Sequence, residues 1–329
     1  MNILFIGGTG IISSACTRRA IEKGFEVTLL NRGKTDRTPP EGAEVLHGDI
    51  SDETGIAALL KGRTFDSVTD WIAFTPDQVK RDIRLFRGKT GQYIFISSAS
   101  AYQTPPASLP VTESTPLRNP FWQYSRDKIA CEDVLTDFYR AEEFPITIVR
   151  PSHTYDERTL PFHYRYTVVN RMREGKKVII HGDGTSLWTL THHRDFATGF
   201  TGLLGNPEAI GDVFHITSDE ALTWNRIYQT IADAAGTTLK AVHIPSELLA
   251  SYDQEYGSAL LGDKSHSMIF DNSKIRRLVP EFTCIIPFHQ GAREMMAWYD
   301  AHSEARVVDL KTDRLMDTII DNYNHAWPK

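Results

Sequence analysis

The N-terminal segment NILFIGGTGIISSACTRRAIEK, residues 2–23, decides the fold of this chain. Residues 2–6 form a short apolar run, residues 7–10 read Gly-Gly-Thr-Gly, and apolar residues then recur at helical spacing. This pattern predicts a strand, a tight glycine turn and a helix. Gly7 and Gly10 let a pyrophosphate approach the main chain, and the helix that follows presents free N–H groups to its charge. A dinucleotide is the ligand that suits this geometry.

A second predicted strand favours this interpretation over that of a plain glycine turn. Residues 26–30 end about twenty residues after the glycines, where a ribose-binding residue is expected. The third glycine of the common pattern is replaced by Ser13. A side chain of this size still permits close packing of the helix on the strand.

The composition is that of an ordinary globular enzyme. The chain has 329 residues, of which 41% are hydrophobic and 24% charged, and its formal net charge is −6. This charge provides no whole-molecule attraction for nucleic acid or anionic lipid. Cys16, Cys131 and Cys284 lack metal-type or redox-type spacing and suit a reducing compartment. No apolar run approaches membrane-spanning length, so we expect a cytoplasmic protein that binds neither membrane nor nucleic acid.

Predicted strands and helices alternate as far as Arg150. Repeated βα units predict an α/β fold with a doubly wound parallel sheet, whose ligand lies at the carboxyl ends of the strands. Beyond residue 30 the predicted strands are 44–47, 67–71, 92–97 and 146–150, and the predicted helices are 52–60, 76–86 and 121–143.

Past Arg150 the alternation is lost, which predicts a smaller mixed C-terminal lobe for the substrate. Asp195 is expected to cap a helix that runs to residue 204, and residues 212–216 to return as a strand to the main sheet. Further helices are expected at 223–235 and 291–301. We assign residues 1–165 and about 191–220 to the dinucleotide-binding domain, and about 166–190 with 221–329 to the lobe.

The pair Tyr124 and Lys128 is the strongest candidate for the chemistry. At a spacing of four on a helix the phenol and the ammonium share one face, so the positive charge is expected to lower the tyrosine pKa and make a general base. Such a pair also arises by chance in a chain of this length. Its position favours the functional interpretation, because it opens the helix after a strand that ends in the hydroxyl-rich run Ser97 to Tyr102.

Seven short motifs occur in the order seen in one large enzyme superfamily. The chain resembles the extended short-chain dehydrogenases/reductases, and in particular the NAD-dependent epimerase/dehydratase family, over nearly its full length. The resemblance implies a Rossmann-type sheet. The motifs are Gly7 to Gly10, His47-Gly48-Asp49-Ile50, Ile96 to Tyr102, Tyr124 with Lys128, Arg150-Pro151, Gly182-Asp183-Gly184 and Phe270 to Lys274.

The resemblance also implies roles for individual residues. Tyr124 would be the acid/base, Lys128 would hold the nicotinamide ribose and tune Tyr124, and Ser98 would hydrogen-bond the reacting oxygen. Asp49 would face the adenine. The residues expected along the cofactor are Gly7, Thr9, Gly10, Ile11, Ile12, Asn31, Arg32, Asp49, Ile50, Ile72, Ala73, Ser97, Tyr124, Lys128 and Pro151, and those expected at the substrate are Ser98, Ser100, His153 and Trp188.

Three departures from the family pattern bear on the substrate. Sugar-nucleotide 4,6-dehydratases usually carry an Asp-Glu pair where this chain has Ala99 and Ser100, so dehydration by that mechanism is disfavoured. Trp188 stands where an arginine commonly clamps the nucleotide diphosphate of 4-epimerases. His153 replaces an asparagine near the phosphates, so the nucleotide part of the substrate is left open.

Two further clusters are interpreted as structural. The run His192-His193-Arg194-Asp195 resembles a metal cluster, but adjacent histidines diverge in direction and no third ligand has a convincing spacing, so no metal is expected. The basic residues between positions 80 and 89 are expected to lie on a solvated helix face; they are Lys80, Arg81, Arg84, Arg87 and Lys89.

The cofactor is expected to be NAD(P), with a lean towards NADP. The second strand ends in Asn31-Arg32, where an NAD enzyme normally offers an acidic residue that repels a 2′-phosphate. Arg32, with Lys34 and Arg37 nearby, is suited to pair with that phosphate.

Functions of two classes are consistent with the sequence. The first is an epimerase that acts on a sugar or sugar nucleotide through a transient keto intermediate, with an NADP-dependent reductase of a small carbonyl compound as its alternative. The second is a non-catalytic cofactor sensor or RNA-binding relative. The set Ser98, Tyr124 and Lys128 favours an enzyme with a small-molecule substrate, and a homodimer is compatible with the sequence.

Overall fold

The computed structural model describes residues 1–34 and 36–326, which contain twelve strands. In chain order they are β1 (Asn2–Ile6), β2 (Glu26–Asn31), β3 (Glu44–His47), β4 (Ser67–Asp70), β5 (Tyr93–Ile96), β6 (Ile146–Pro151), β7 (His153–Tyr155), β8 (Val178–His181), β9 (Leu187–His192), β10 (Asp212–Ile216), β11 (Ala221–Thr223) and β12 (Ala241–Ile244).

The described residues also form twelve α-helices. They are α1 (Ile11–Glu22), α2 (Glu53–Leu59), α3 (Pro76–Phe86), α4 (Gln123–Glu142), α5 (Arg165–Arg173), α6 (His193–Leu203), α7 (Trp224–Ala234), α8 (Ser246–Tyr252), α9 (Gln254–Ala259), α10 (Ser273–Leu278), α11 (Phe288–Ala301) and α12 (Leu310–His325). None of them is long and apolar enough to cross a membrane.

Seven strands form one parallel sheet in the order β10-β6-β5-β4-β1-β2-β3. β1 lies near the middle, with Ile3 opposite Val27 of β2 on one side and Ser67 of β4 on the other. The chain builds β2 and β3 outward from β1 and then crosses to the other side to build β4, β5, β6 and β10. The strand order therefore reverses beside β1, where a doubly wound sheet opens its ligand cleft. The predicted fold class is confirmed.

Burial on both faces explains the apolar sequence of β1. The side chains of Ile3 to Ile6 are fully buried. Ile3 and Phe5 pack in the core under α1 and α6, whereas Leu4 and Ile6 pack in the core under α3 and α4. A strand covered by helices on both sides needs apolar residues at every position.

Two smaller sheets belong to the part of the chain beyond β6. One has the order β11-β9-β7, with β9 antiparallel to β11 and parallel to β7, and the other pairs β12 with β8. A separate hydrophobic core lies beneath them and includes Trp188, Trp224 and Phe288. The predicted mixed lobe is present, while the residue boundaries assigned to the two domains stay a prediction.

Two local predictions are wrong. Helix α6 begins at His193, and His192 caps it by accepting the Arg194 N–H, so Asp195 lies inside the first turn. Its carboxylate instead accepts the Ile286 N–H at 3.0 Å. Arg81 is not solvated, because it is buried and pairs with Asp82 at 2.6 Å.

Candidate active site

The glycine turn after β1 has the form that a pyrophosphate requires. Gly7 has a φ of +84°, and a Cβ there would lie 2.8 Å from Cγ2 of Ile72. Helix α1 starts directly after Gly10 and has no acidic residue in its first turn. Ser13 does more than allow close packing, since its hydroxyl accepts the Gly10 N–H at 2.7 Å and donates to the Gly7 carbonyl at 3.0 Å. The serine therefore braces the turn.

Two cavities meet at this turn. A cavity of about 490 Å³ and one of about 270 Å³ share Gly7, Gly10 and Ile72 in their linings. The larger contains most of the predicted site: Ile11, Ile12, Ser97, Ser98, Ser100, Tyr124, Lys128, Pro151, His153 and Trp188. The smaller is lined by Thr9, Asn31, Arg32 and Ile50 among others. Two connected cavities on either side of a phosphate-type turn fit the two halves of a dinucleotide.

Two predicted cofactor residues line neither cavity. Asp49 is half-exposed and accepts hydrogen bonds from the amide and hydroxyl of Ser51, while its neighbours Gly48 and Ile50 line the smaller cavity. Ala73 is buried, and its carbonyl accepts a hydrogen bond from Lys128. Ala73 thus contributes to the site through the lysine.

Tyr124 lies in the first turn of α4 and faces the larger cavity. Its ring packs between Trp122, at 4.8 Å between centroids, and Phe74, at 6.4 Å. Burial raises the pKa of Tyr124 to about 12, hydrogen bonding with Ser98 lowers it, and the charge of Asp263 raises it. The predicted direction of this pKa is therefore wrong, because burial outweighs the groups that lower it.

Lys128 is directed at the main chain. Its ammonium donates to the carbonyls of Ala73 and Ile96, each at 2.7 Å, and lies 5.9 Å from the ring centroid of Tyr124. Burial lowers the pKa of Lys128 to about 8. The group is therefore still largely protonated at neutral pH and places a fixed positive charge in the cavity.

A chain of hydroxyls runs behind Tyr124. Ser98 and Ser100 lie 2.9 Å apart between their Oγ atoms, and Ser125 donates to Ser100 at 2.8 Å. These contacts orient Ser98 at the end of β5, beside the phenol. Ser98 and Tyr124 are thus placed to share one substrate oxygen, and Lys128 supplies a positive charge 5.9 Å from the Tyr124 ring.

The cations near the smaller cavity differ in availability. Arg32 is 55% exposed in its side chain and lies 3.7 Å from Asp49. Arg37 is held by Asp156, with 2.6 Å between the guanidinium and the carboxylate, and Asp156 is almost fully buried. Arg32 is therefore free to turn towards a phosphate, whereas Arg37 is already committed.

Some residues that line the larger cavity were given no role in the site by the sequence interpretation. The larger cavity is also lined by Trp122, Asp263, Lys264, Met268 and Phe270. Trp122 could have been predicted from the sequence because it stands two residues before Tyr124. Asp263 and Lys264 give no comparable signal, since nothing local shows that they approach α4.

His153 and Trp188 both line the larger cavity, with 6.4 Å between their ring centroids. Burial and the positive charge of Lys264 lower the pKa of His153 to about 3, so this imidazole is neutral. Among the described residues, Nε2 of His153 and Nε1 of Trp188 have no hydrogen-bond partner. Each is a buried polar atom that a ligand in the cavity could pair with.

One cluster has the composition of a metal site. Ligand atoms of Asp156, Glu157 and His193 lie within 4.8 Å of one another. The Asp156 carboxylate, however, already accepts hydrogen bonds from Arg37 and Thr159, each at 2.6 Å. The geometry is accounted for by the ion pair, and we assign no metal to it.

Comparisons with known proteins agree with this geometry. The model of the NAD dependent epimerase/dehydratase family matches residues 3–87 and 78–217. A solved UDP-glucuronic acid 4-epimerase from Bacillus cereus, in complex with UDP-glucuronic acid and NAD, is similar with a TM-score of 0.74 and 18% identity; the match covers 92% of this chain and 99% of that one.

Three curated proteins show similarity at the sequence level. The chloroplast stem-loop binding protein of 41 kDa b from Arabidopsis thaliana is 27% identical over 71% of this chain, and a UDP-glucose 4-epimerase from Lactobacillus helveticus is 28% identical over 46%. The matches span only 63% and 51% of those two proteins. A dTDP-glucose 4,6-dehydratase from an Actinoplanes strain is 23% identical over 92% of this chain and 98% of its own length.

Proposed function

The chain belongs to the NAD-dependent epimerase/dehydratase family, and from this premise we propose that it is a nicotinamide-dependent epimerase of a sugar or sugar nucleotide. The observation that carries the proposal is the convergence of Ser98, Tyr124 and Lys128 on one wall of the cavity that opens from the glycine turn. Relatives named as 4-epimerases of UDP-sugars support the choice of substrate class.

The residues have distinct roles in this reaction. Ser98 hydrogen-bonds the substrate hydroxyl and orients it towards Tyr124, which accepts the hydroxyl proton as the carbon that bears this hydroxyl loses hydride. When bound, the nicotinamide supplies the hydride acceptor, and its positive charge favours the phenolate that burial alone disfavours. Lys128 adds a second positive charge nearby. The keto intermediate turns over in the cavity and regains hydride on its other face, while Tyr124 returns the proton.

A redox-neutral cycle makes a direct prediction. With UDP-glucose as substrate and no nicotinamide added to the purified protein, we expect several turnovers per protein, because hydride is returned in every cycle. NMR spectroscopy would follow the epimeric product, and the absorbance of reduced nicotinamide would be recorded alongside it and stay constant. Product that forms only in proportion to added reduced cofactor would identify a reductase instead.

The same proposal disfavours 4,6-dehydration. Ala99 cannot transfer a proton, and Ser100 accepts a hydrogen bond from Ser125. Neither position offers the acid and base that elimination of water requires.

The cofactor is proposed to be NADP rather than NAD. Arg32 and Lys34 line the smaller cavity. Among the described residues, neither has an ion pair as short as the one between Arg37 and Asp156, since Arg32 lies 3.7 Å from Asp49 and Arg37 lies 2.6 Å from Asp156. An Arg32→Ala change is expected to weaken NADP binding about tenfold or more, the loss of one charge-assisted hydrogen bond, and to leave NAD binding unchanged.

Dissociation constants for both cofactors would test this preference. Arg84→Ala is the matched control, because it removes an exposed guanidinium that pairs with Glu53 and lines neither cavity. NAD bound tenfold more tightly than NADP, with no effect of Arg32→Ala, would contradict the proposal.

A second candidate function is a non-catalytic binding protein. The similarity to the chloroplast stem-loop binding protein, over 71% of this chain, favours it. The net charge of −6 and the assembled Ser98, Tyr124 and Lys128 weigh against it. A titration with an RNA stem-loop at increasing salt separates the two, since the proposed enzyme should not bind the RNA specifically. Assembly as a homodimer stays a prediction.

A further inference from the structure

One turn of the lobe reaches into the larger cavity. The segment Leu260–Lys264 forms a π-helical turn, here called the lobe turn, and its last two residues, Asp263 and Lys264, line the cavity. π-Helical turns are rare in proteins, and those that occur are frequently found at functional sites.

Asn119 holds the lobe turn against the catalytic wall. Its side-chain amide donates to the Gly262 carbonyl at 2.6 Å and to the Ser100 carbonyl at 2.9 Å. Its oxygen accepts the N–H groups of Phe121 and Trp122. A Cβ on Gly262 would lie 2.8 Å from Cβ of Trp122, so the approach is close. Asp263 is the next residue after Gly262, so the same contact places it at the larger cavity.

Asp263 and Lys264 form an enclosed ion pair. The ammonium lies 3.1 Å from the carboxylate, and the two side chains are only 12% and 14% exposed. The same ammonium lies 5.5 Å from the ring centroids of both Trp122 and Trp188. Two indoles thus flank the pair, and charges in such an enclosed setting interact strongly with any charge brought beside them.

Both charges reach the reacting region. The charge of Asp263 raises the pKa of Tyr124, and the charge of Lys264 lowers the pKa of His153. Tyr124 and His153 line the larger cavity together with Asp263 and Lys264. A sugar ring whose reacting carbon lies at Tyr124 therefore lies within the influence of the pair.

We propose that Asp263 and Lys264 select the substrate by the charge of its sugar ring and favour a neutral sugar over an acidic one. This inference rests on the proposed epimerase function. Neighbouring hydroxyls of a neutral sugar can donate to Asp263 and accept from Lys264. A sugar carboxylate would attract Lys264 but would be repelled by Asp263, which already neutralises that lysine.

Two sugar nucleotides that differ only in the ring test this inference. UDP-glucose and UDP-glucuronic acid would be titrated into the protein saturated with NAD(P), with the fluorescence of the cavity tryptophans as a readout of binding. Because both ligands share the UDP group, its contribution cancels in the ratio of their dissociation constants. We expect the native protein to bind UDP-glucose at least about tenfold more tightly.

Asp263→Asn removes the charge and keeps the shape. The variant is expected to bind UDP-glucuronic acid about tenfold or more tightly than the native protein does, because Lys264 is then unpaired. The preference for UDP-glucose should therefore be abolished or reversed. Asp300→Asn, at an exposed ion pair with Arg173, is the control and should leave the ratio unchanged.

The outcomes are distinguishable. A native preference for UDP-glucuronic acid, or a ratio that Asp263→Asn does not change, overturns the inference while leaving an epimerase. Failure of both sugar nucleotides to bind in the presence of NAD(P) overturns the choice of a sugar nucleotide as substrate and the inference with it.

Discussion

Tyr124→Phe is expected to lower the turnover number by about two orders of magnitude or more, the usual contribution of a positioned acid/base. The change removes the hydroxyl that exchanges a proton with the substrate and keeps the ring that packs between Trp122 and Phe74. Fold and cofactor binding should therefore persist. Turnover of UDP-glucose by NMR, cofactor affinity and thermal unfolding would be measured on the same preparation.

Two further variants sharpen this test. Tyr252→Phe removes an equivalent hydroxyl from an exposed tyrosine and should leave turnover unchanged. Lys128→Met should reduce both turnover and cofactor affinity, since the lysine also ties α4 to the carbonyls of Ala73 and Ile96. A Tyr124→Phe protein with native activity would mean that the Tyr-x-x-x-Lys spacing arose by chance.

Glu132→Gln is expected to lower the free energy of unfolding by about 3–5 kcal/mol, the cost of leaving a buried charge unpaired. Glu132 lies one turn after Lys128 on α4 and binds the guanidinium of Arg150 through both oxygens. It also accepts the hydroxyl of Ser97. Both partners of the ion pair are buried, so neither water nor salt replaces the lost contact. Urea unfolding monitored by circular dichroism would measure the change.

An exposed ion pair provides the comparison. Glu44 pairs with Arg63 through two hydrogen bonds, but the two side chains are 48% and 36% exposed. Glu44→Gln should cost less than about 1 kcal/mol, because solvent screens the pair. Equal losses of unfolding free energy for the two variants would contradict the expected cost of leaving the buried charge of Arg150 unpaired.

The central sheet was predictable because its signals are local. The apolar run of β1 needs no partner to be recognised, since a strand covered on both faces is apolar at every position. The predicted strand 44–47 has the bounds of β3, and the predicted helix 76–86 those of α3. The prediction of helix caps was less reliable. His192 rather than Asp195 caps α6, because the carboxylate of Asp195 accepts a hydrogen bond from the main chain of Ile286.

The sequence by itself determined the parallel sheet, the glycine turn and the pair Tyr124 and Lys128, because each follows from spacing along one strand or one helix turn, whereas Ser98 was assigned through the resemblance to the family. Only the tertiary structure decided the electrostatics of these residues. Lys128 is directed at two carbonyls, and burial raises the tyrosine pKa that a helix-face argument lowers. Only the tertiary structure, too, brought Asp263 and Lys264 to the cavity, through a hydrogen bond between Asn119 and Gly262, which are 143 residues apart. Sequence spacing predicts which residues are neighbours within one helix or strand, whereas burial and long-range contacts depend on how the helices and strands pack together.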